Sequence, residues 1–174
     1  YSSNKFTSKS SSNLVLFVND KFDISGLKKI ISNYEFSYIA DLLKNSDLNK
    51  ELLFFEVNSK KTIFLVSIKK DIKISDIENL GAKFHSYINY DKKKEYFVNS
   101  DTINNKIKNF AGYFLHGLKL KSYEFNIYKS KKNKKTISIS VIRHIHNHRL
   151  FFIPNFTLFE CSIITSSVTL LVDL

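Results

Sequence analysis

The sequence predicts an α/β fold in which a mixed central sheet is flanked by helices. Two patterns carry the prediction: short apolar runs rich in branched and aromatic residues, and segments whose apolar residues recur at helical spacing. The two kinds of segment alternate along the chain, as they do in domains with a helix-covered sheet. At 174 residues and 43% hydrophobic content, the chain is long enough for one domain with its own core.

The apolar runs mark the strands. Leu14 to Val18 lies between polar residues and predicts a buried strand, and the runs 52–57 and 62–68 flank a short polar turn, which predicts a hairpin or neighbouring strands. Ile63 to Val66 has no polar alternation, so that strand is expected to be covered on both faces. Shorter strands are predicted near Tyr96 to Val98 and near Ile137 to Val141.

Three helices are predicted between these strands. The first covers roughly Tyr34 to Lys44, and the second begins at a capping box formed by Ser75 and Glu78. The third follows Asp101, where one apolar stripe runs from Ile103 to Leu118. Gly117 is expected to end it.

The end of this third helix leads into an aromatic signature. Gly117-Leu118 is followed by Tyr123, Phe125, Asn126, Tyr128, Lys129 and Ser130, and then by a lysine-rich segment. This order resembles the end of the N-terminal domain of the leucyl aminopeptidase family, where Gly-Leu precedes a Tyr-x-Phe-Asp-x-Tyr-Lys-Thr pattern. Asn126 and Ser130 depart from that pattern. Because the aromatic residues alternate regularly, Phe125 is predicted to be buried.

The resemblance implies a three-layer, macro-domain-like fold that is noncatalytic. Gly81-Ala82 stands where the family has a small-residue pair in its middle helix. The whole enzymes of the family are homohexamers that remove N-terminal residues from peptides with two divalent metals, zinc or manganese, and the N-terminal domain contributes to assembly. For this chain the resemblance therefore implies a homo-oligomer that forms through a separate catalytic domain. It implies peptide substrates only for the full-length enzyme.

Composition divides the chain into three parts. Residues 1–12 are rich in serine and are expected to be disordered. Residues 13–141 are the part of the chain that resembles the leucyl aminopeptidase N-terminal domain, and they are expected to form that domain. Every lysine lies at or before Lys135, so residues 142–174 are interpreted as a divergent tail, a degenerate linker to a missing catalytic domain. The chain is accordingly expected to be a fragment or truncated form. Deleting this tail is expected to leave the unfolding midpoint nearly unchanged.

The net charge of +11 raises an alternative, a basic nucleic-acid-binding or regulatory module. The lysines from Lys129 to Lys135 follow aromatic residues, a combination that suits single-stranded nucleic acid. Only two of the 27 basic residues are arginine, however, and lysine lacks the planar fork that makes bidentate phosphate contacts. The lysines are therefore interpreted as a solvated surface.

The sequence also bears on compartment and membrane. A single cysteine, Cys161, cannot form an internal disulfide, and no secretory signal pattern opens the chain, so a cytoplasmic protein is expected. The weakly charged segment from Leu150 to Val172 contains Pro154 and several Ser and Thr residues, so strands or a poorly ordered tail are favoured over a membrane span.

No residue is assigned a catalytic, metal-binding or cofactor-binding role, and the family's Asn-Thr-Asp-Ala-Glu-Gly-Arg segment does not occur. The chain lacks a glycine-rich turn after its central strand, where it has Ser67-Ile68-Lys69-Lys70, so nucleotide binding is not expected. The other candidates are interpreted structurally: helix capping for Asp71, Asp76 and Glu78, a solvated face for His144, His146 and His148, core boundary positions for His85 and His116, and an inert thiol for Cys161.

Overall fold

The computed structural model describes residues 13–90, 95–104, 106–123, 136–142, 163–164 and 167–173. Its strands are β1 (Asn13–Asn19), β2 (Leu52–Asn58), β3 (Lys61–Ile68), β4 (Glu95–Asn99), β5 (Thr136–Ile142), β6 (Ile163–Ile164) and β7 (Ser167–Asp173). Its helices are α1 (Asn33–Lys44), α2 (Ile74–Tyr90) and α3 (Phe110–Ser122), with short 3-10 turns at Ser25–Lys29 and Ser100–Thr102.

The seven strands found among the described residues lie in one mixed sheet with the order β2-β3-β1-β4-β5-β7-β6. The four central strands β3, β1, β4 and β5 run parallel, whereas β2 pairs antiparallel with β3 and β7 pairs antiparallel with β5. The predicted α/β fold with a mixed sheet is confirmed. The predicted hairpin is formed by β2 and β3, and the predicted strands near the two ends of residues 13–141 are β1 and β5.

The sheet is covered on both faces, which gives three layers. Alternate residues of β1 and β3 enter two different clusters: Val15 and Phe64 pack under α2 and α3, whereas Leu16 and Leu65 pack under α1 and the preceding loop. All eight residues of β3 are buried. For Ile63 to Val66, this burial was predicted from the unbroken apolar run.

The third helix begins later than predicted. α3 starts at Phe110, because Asn109 has a left-handed backbone with φ of 61° that is incompatible with an incoming helix. Ile103 and Ile107 precede it and still pack against the core from irregular backbone. The prediction that Gly117 ends the helix was also wrong, since α3 continues to Ser122.

The predicted capping box at Ser75 does not form. α2 begins at Ile74, and the carboxylate of Asp76 accepts a bond of 3.4 Å from the amide of Lys73. A complete capping box occurs instead at α1, where Ser32 accepts from the amide of Glu35 and the Glu35 carboxylate accepts from the amide of Ser32.

β6 and β7 lie within residues 142–174, the predicted divergent tail. β7 pairs with β5 along the whole strand, from Thr136 opposite Asp173 to Ile142 opposite Ser167. The domain boundary at residue 141 stays a prediction, and this pairing defines the experiment that tests it. Among the described residues, no helix has both the length and the apolar character needed to cross a membrane.

Candidate functional site

Two of the glycines singled out in the sequence, Gly81 and Gly117, lie at the contact between α2 and α3. An ideal Cβ placed on Gly117 would lie 1.9 Å from the backbone oxygen of Glu78, and one placed on Gly81 would lie 1.9 Å from the backbone oxygen of Phe114. The contact is reciprocal, because each glycine meets the residue that lies three positions before the other glycine. Only glycine lets the two backbones approach this closely.

The adjacent apolar residues fill the space beneath this contact. Leu118 and Phe114 are fully buried, as are Ile77 and Phe84 on α2. The Phe84 ring meets the Phe64 ring of β3 edge-on, with centroids 5.2 Å apart. Gly117-Leu118 therefore has a structural role, in which the glycine sets the distance between the helices and the leucine enters the core.

A polar contact lies at the rim of the same helix pair. His116 Nδ1 lies 2.8 Å from Glu78 Oε1, and both side chains remain partly exposed to solvent. Glu78 was predicted to cap α2, but its carboxylate bonds across to α3 instead. Of the two other acids that were predicted to cap α2, Asp76 does so, because its carboxylate accepts a hydrogen bond from the Lys73 amide at the helix start. Asp71 does not take part in that hydrogen bond. Within the described ranges, no group of three or more His, Cys, Asp or Glu side chains could hold a metal ion.

The crevice between β1 and β4 is where an open α/β sheet with this strand order would bind a ligand. The chain leaves β1 towards β2 and β3 but leaves β4 towards β5, so the connections diverge at the carboxyl ends of this pair. Here the 3-10 turn Ser100–Thr102 closes the crevice: the amide of Phe17 donates to Thr102 Oγ1 at 2.8 Å, and that hydroxyl donates to the Asn99 carbonyl at 2.8 Å. The Phe17 amide, which lies at this end of β1, is therefore already bonded.

The carboxyl end of β3 is occupied as well. In the segment Ser67-Ile68-Lys69-Lys70, the Ser67 amide donates to the Glu51 carbonyl at 2.8 Å. Glu51 also pairs through its carboxylate with Lys69 and Lys83, and these contacts lower the Glu51 pKa, the hydrogen bond from Lys83 being the largest influence. This region is an ion-paired surface and differs from a phosphate-binding turn.

A buried ion pair on the other face was missed by the sequence analysis. Lys61 Nζ lies 2.5 Å from Glu35 Oε1, with side-chain exposures of 3% and 11%. Burial is the largest influence on the Glu35 pKa and raises it, but the hydrogen bonds from Lys61 and Ser32 outweigh burial, and the net pKa is lowered. The Ser32-x-x-Glu35 spacing was the available signal for this glutamate. Lys61, next to Lys60 in a polar turn, gave no signal that it would be buried.

The remaining signature and candidate residues divide between described and undescribed parts of the chain. Tyr123 follows α3 directly and is 76% exposed, so the regular aromatic spacing does not bury it. His85 is buried beside Phe84, consistent with a core boundary position. The other signature residues and candidates lie outside the described residues: Phe125, Tyr128, Lys129, His144, His146, His148 and Cys161.

Comparison with solved structures gives a likeness to a point mutant of tomato leucine aminopeptidase. The two share 14% sequence identity with a TM-score of 0.51, and the match covers 72% of this chain and 28% of the tomato chain. No family model matches the chain, and a search of curated proteins gives no match. At this identity the likeness shows the fold, and the fold is one that occurs within a leucine aminopeptidase.

Proposed function

We propose that this chain is a noncatalytic domain of a leucyl aminopeptidase-like metallopeptidase, corresponding to the N-terminal domain of that family. The observation that carries the proposal is the reciprocal contact of Gly81 and Gly117. It gives a packing reason for two small-residue positions that the sequence shares with the family. The partial likeness to tomato leucine aminopeptidase supports the same assignment.

The chemistry of the whole enzyme belongs to a catalytic domain outside these residues. Two-metal hydrolysis requires carboxylates clustered around both ions, and the family segment that supplies them is not in the sequence. In this proposal the two divalent metals, zinc or manganese, and the peptide substrate are bound by that other domain. The chain itself contributes to assembly of a homo-oligomer, a hexamer in the family, in the cytoplasm.

An activity assay tests the noncatalytic part of this proposal. Purified chain with added manganese or zinc is expected not to cleave a leucyl amide above a metal-only blank. Turnover that persists through a second purification and follows the protein peak would contradict the assignment. A heat-unfolded sample of the same preparation is the matched control, because a contaminating metal ion would remain active in it.

Sequencing of the DNA downstream tests the parentage. A coding segment for Asn-Thr-Asp-Ala-Glu-Gly-Arg, in any frame, is expected within the length of a catalytic domain. A downstream region that encodes an unrelated domain would instead favour the nucleic-acid-binding module. That alternative predicts DNA binding that weakens steeply between low and moderate salt, because phosphate contacts release counterions.

A further inference from the structure

One face of the sheet is covered by two segments that are anchored to different extents. The loop before α1 places four buried side chains in the core cluster of this face: Phe22, Ile24, Leu27 and Ile31. α1 completes the cover, but of its twelve residues only Glu35 and Ile39 are buried. On the opposite face, eight of the thirteen residues of α3 are buried. α1 is therefore held by much less buried surface than α3.

One of the two buried positions of α1 is charged. Glu35 pairs with Lys61 at the start of β3, and Tyr38 Oη donates to the Glu56 carbonyl of β2 at 3.1 Å, so both polar contacts join α1 to the hairpin. Ile39 is left as the single buried apolar side chain of α1. When a buried ion pair separates into water, hydration of the two charges repays much of the lost attraction, whereas exposed apolar surface gains no such return.

The connection from α1 to β2 is built as a hinge. Ser46 Oγ donates to the Leu42 carbonyl at 2.8 Å, and the Lys50 amide donates to the Asp47 carbonyl at 3.3 Å. These hydrogen bonds join residues that are at most four positions apart in the sequence. Within residues 44–50 every side chain except the half-buried Ser46 is exposed. The connection can therefore change direction while its own hydrogen bonds stay intact.

We propose that α1 is a hinged cover that opens and closes as a unit while the sheet, α2 and α3 stay folded, and that the ion pair of Lys61 and Glu35 is its latch. Opening turns on residues 44–50 and exposes apolar sheet surface, Leu65 included, that the closed chain hides. Elements that move are drawn from the least stable parts of a fold, which are those with few buried apolar side chains.

Hydrogen–deuterium exchange of backbone amides in the full chain, measured by mass spectrometry, tests this opening. Peptides from α1 should be about a hundredfold less protected than peptides from α2 and α3, because they exchange through a local opening instead of global unfolding. Gly117→Ala gives the decisive comparison, since its clash lies between α2 and α3 whether α1 is open or closed. This variant should lower the protection of α2 and α3 about thirtyfold and leave that of α1 within about threefold of the original.

Lys61→Met tests the latch, and Lys60→Met is the matched control at the exposed neighbouring lysine. Lys61→Met leaves the buried Glu35 carboxylate without its partner and should lower the protection of α1 about a hundredfold or more, whereas Lys60→Met should leave it unchanged. Thermal melts establish which variants are folded. If Lys61→Met does not fold, Glu35→Gln removes the charge at nearly constant shape and should change α1 in the same direction. Thr102→Val replaces Gly117→Ala in the same way.

Two results would overturn the proposal. Equal protection of the three helices, with a common decrease in Gly117→Ala, would mean that α1 opens only when the whole chain unfolds. Equal protection of α1 in the Lys61→Met and Lys60→Met variants would mean that the ion pair is not a latch. The test is independent of the proposed function, because exchange is measured on this chain alone and involves neither peptide substrate nor metal.

Discussion

Substitution of Gly117 by alanine tests the helix contact directly. The new Cβ would lie 1.9 Å from the Glu78 oxygen and 2.5 Å from its Cα, and all three of the nearest atoms belong to backbone. A clash with a flexible side chain could be relieved by a rotamer change, but here α3 must move away from α2. That movement loosens the packing of Phe114 and Leu118 against α2.

The expected magnitude is the difference of two opposing effects. Overpacking a core contact costs about 1–3 kcal/mol, and a clash between two backbones belongs at the upper end of that range. Alanine in a helix interior is favoured over glycine by about 1 kcal/mol, which offsets part of the cost. The net loss in the free energy of unfolding should be about 2 kcal/mol, which lowers the midpoint of a domain of this size by about 4–8 °C.

Circular dichroism during thermal and urea unfolding measures this loss. Gly26→Ala is the matched control, because nothing lies within 4 Å of an ideal Cβ at Gly26, and its stability should change by less than about 0.5 kcal/mol. Gly81→Ala should behave like Gly117→Ala. If Gly117→Ala were as stable as the original chain, or more stable, the close approach of α2 and α3 would be refuted.

Four further predictions follow from the ion pair of Lys61, the hydroxyl of Thr102 and the pairing of β7. Lys61→Met removes the partner of buried Glu35 and should cost about 3–5 kcal/mol in urea unfolding; an effect below about 1 kcal/mol would show that Glu35 is solvated. Because the Glu35 pKa is lowered in the folded chain, its contribution to stability is present above the unfolded pKa and is lost as pH falls through the folded pKa, so a melt series in acid should show a shallower decline for Lys61→Met. Thr102→Val leaves the Phe17 amide without its acceptor and should cost about 1–3 kcal/mol, whereas Thr102→Ser should be nearly neutral; equal losses for the two variants would exclude the hydroxyl as the cause. Truncation after Ile142 should lower the unfolding midpoint, because it removes β7 from the edge of β5, and an unchanged midpoint would instead support the domain boundary predicted from composition.

The strands of this fold were predictable because their signal is local. The runs that became β1 and β3 are apolar and bounded by polar residues, and burial on both faces follows from the absence of alternation. Any fold that contains these segments must cover them, whatever the partner elements are. The helices between them followed for the same reason, from apolar spacing along a single segment.

The helix boundaries and the caps were decided by tertiary structure. Ser32-x-x-Glu35 and Ser75-x-x-Glu78 are equivalent as sequence patterns, yet only the first forms a capping box. Glu78 instead meets His116, a residue on another helix. Ile107 fits the apolar stripe of α3 but packs from a loop, since burial at helical spacing does not require helical backbone.

Gly117 shows most clearly which properties of the candidate site are predictable from the sequence and which depend on tertiary structure. The sequence by itself determined that Gly117-Leu118 is a distinctive pair at the end of an apolar stripe. A glycine near the end of such a stripe is as compatible with a helix stop as with a close contact, because both uses depend on the missing Cβ. Three features depend on atoms of a second element, and only the tertiary structure decides them: the burial of Lys61, the closure of the crevice by Thr102 and the role of Gly117. In each case the deciding contact joins residues that are distant in sequence.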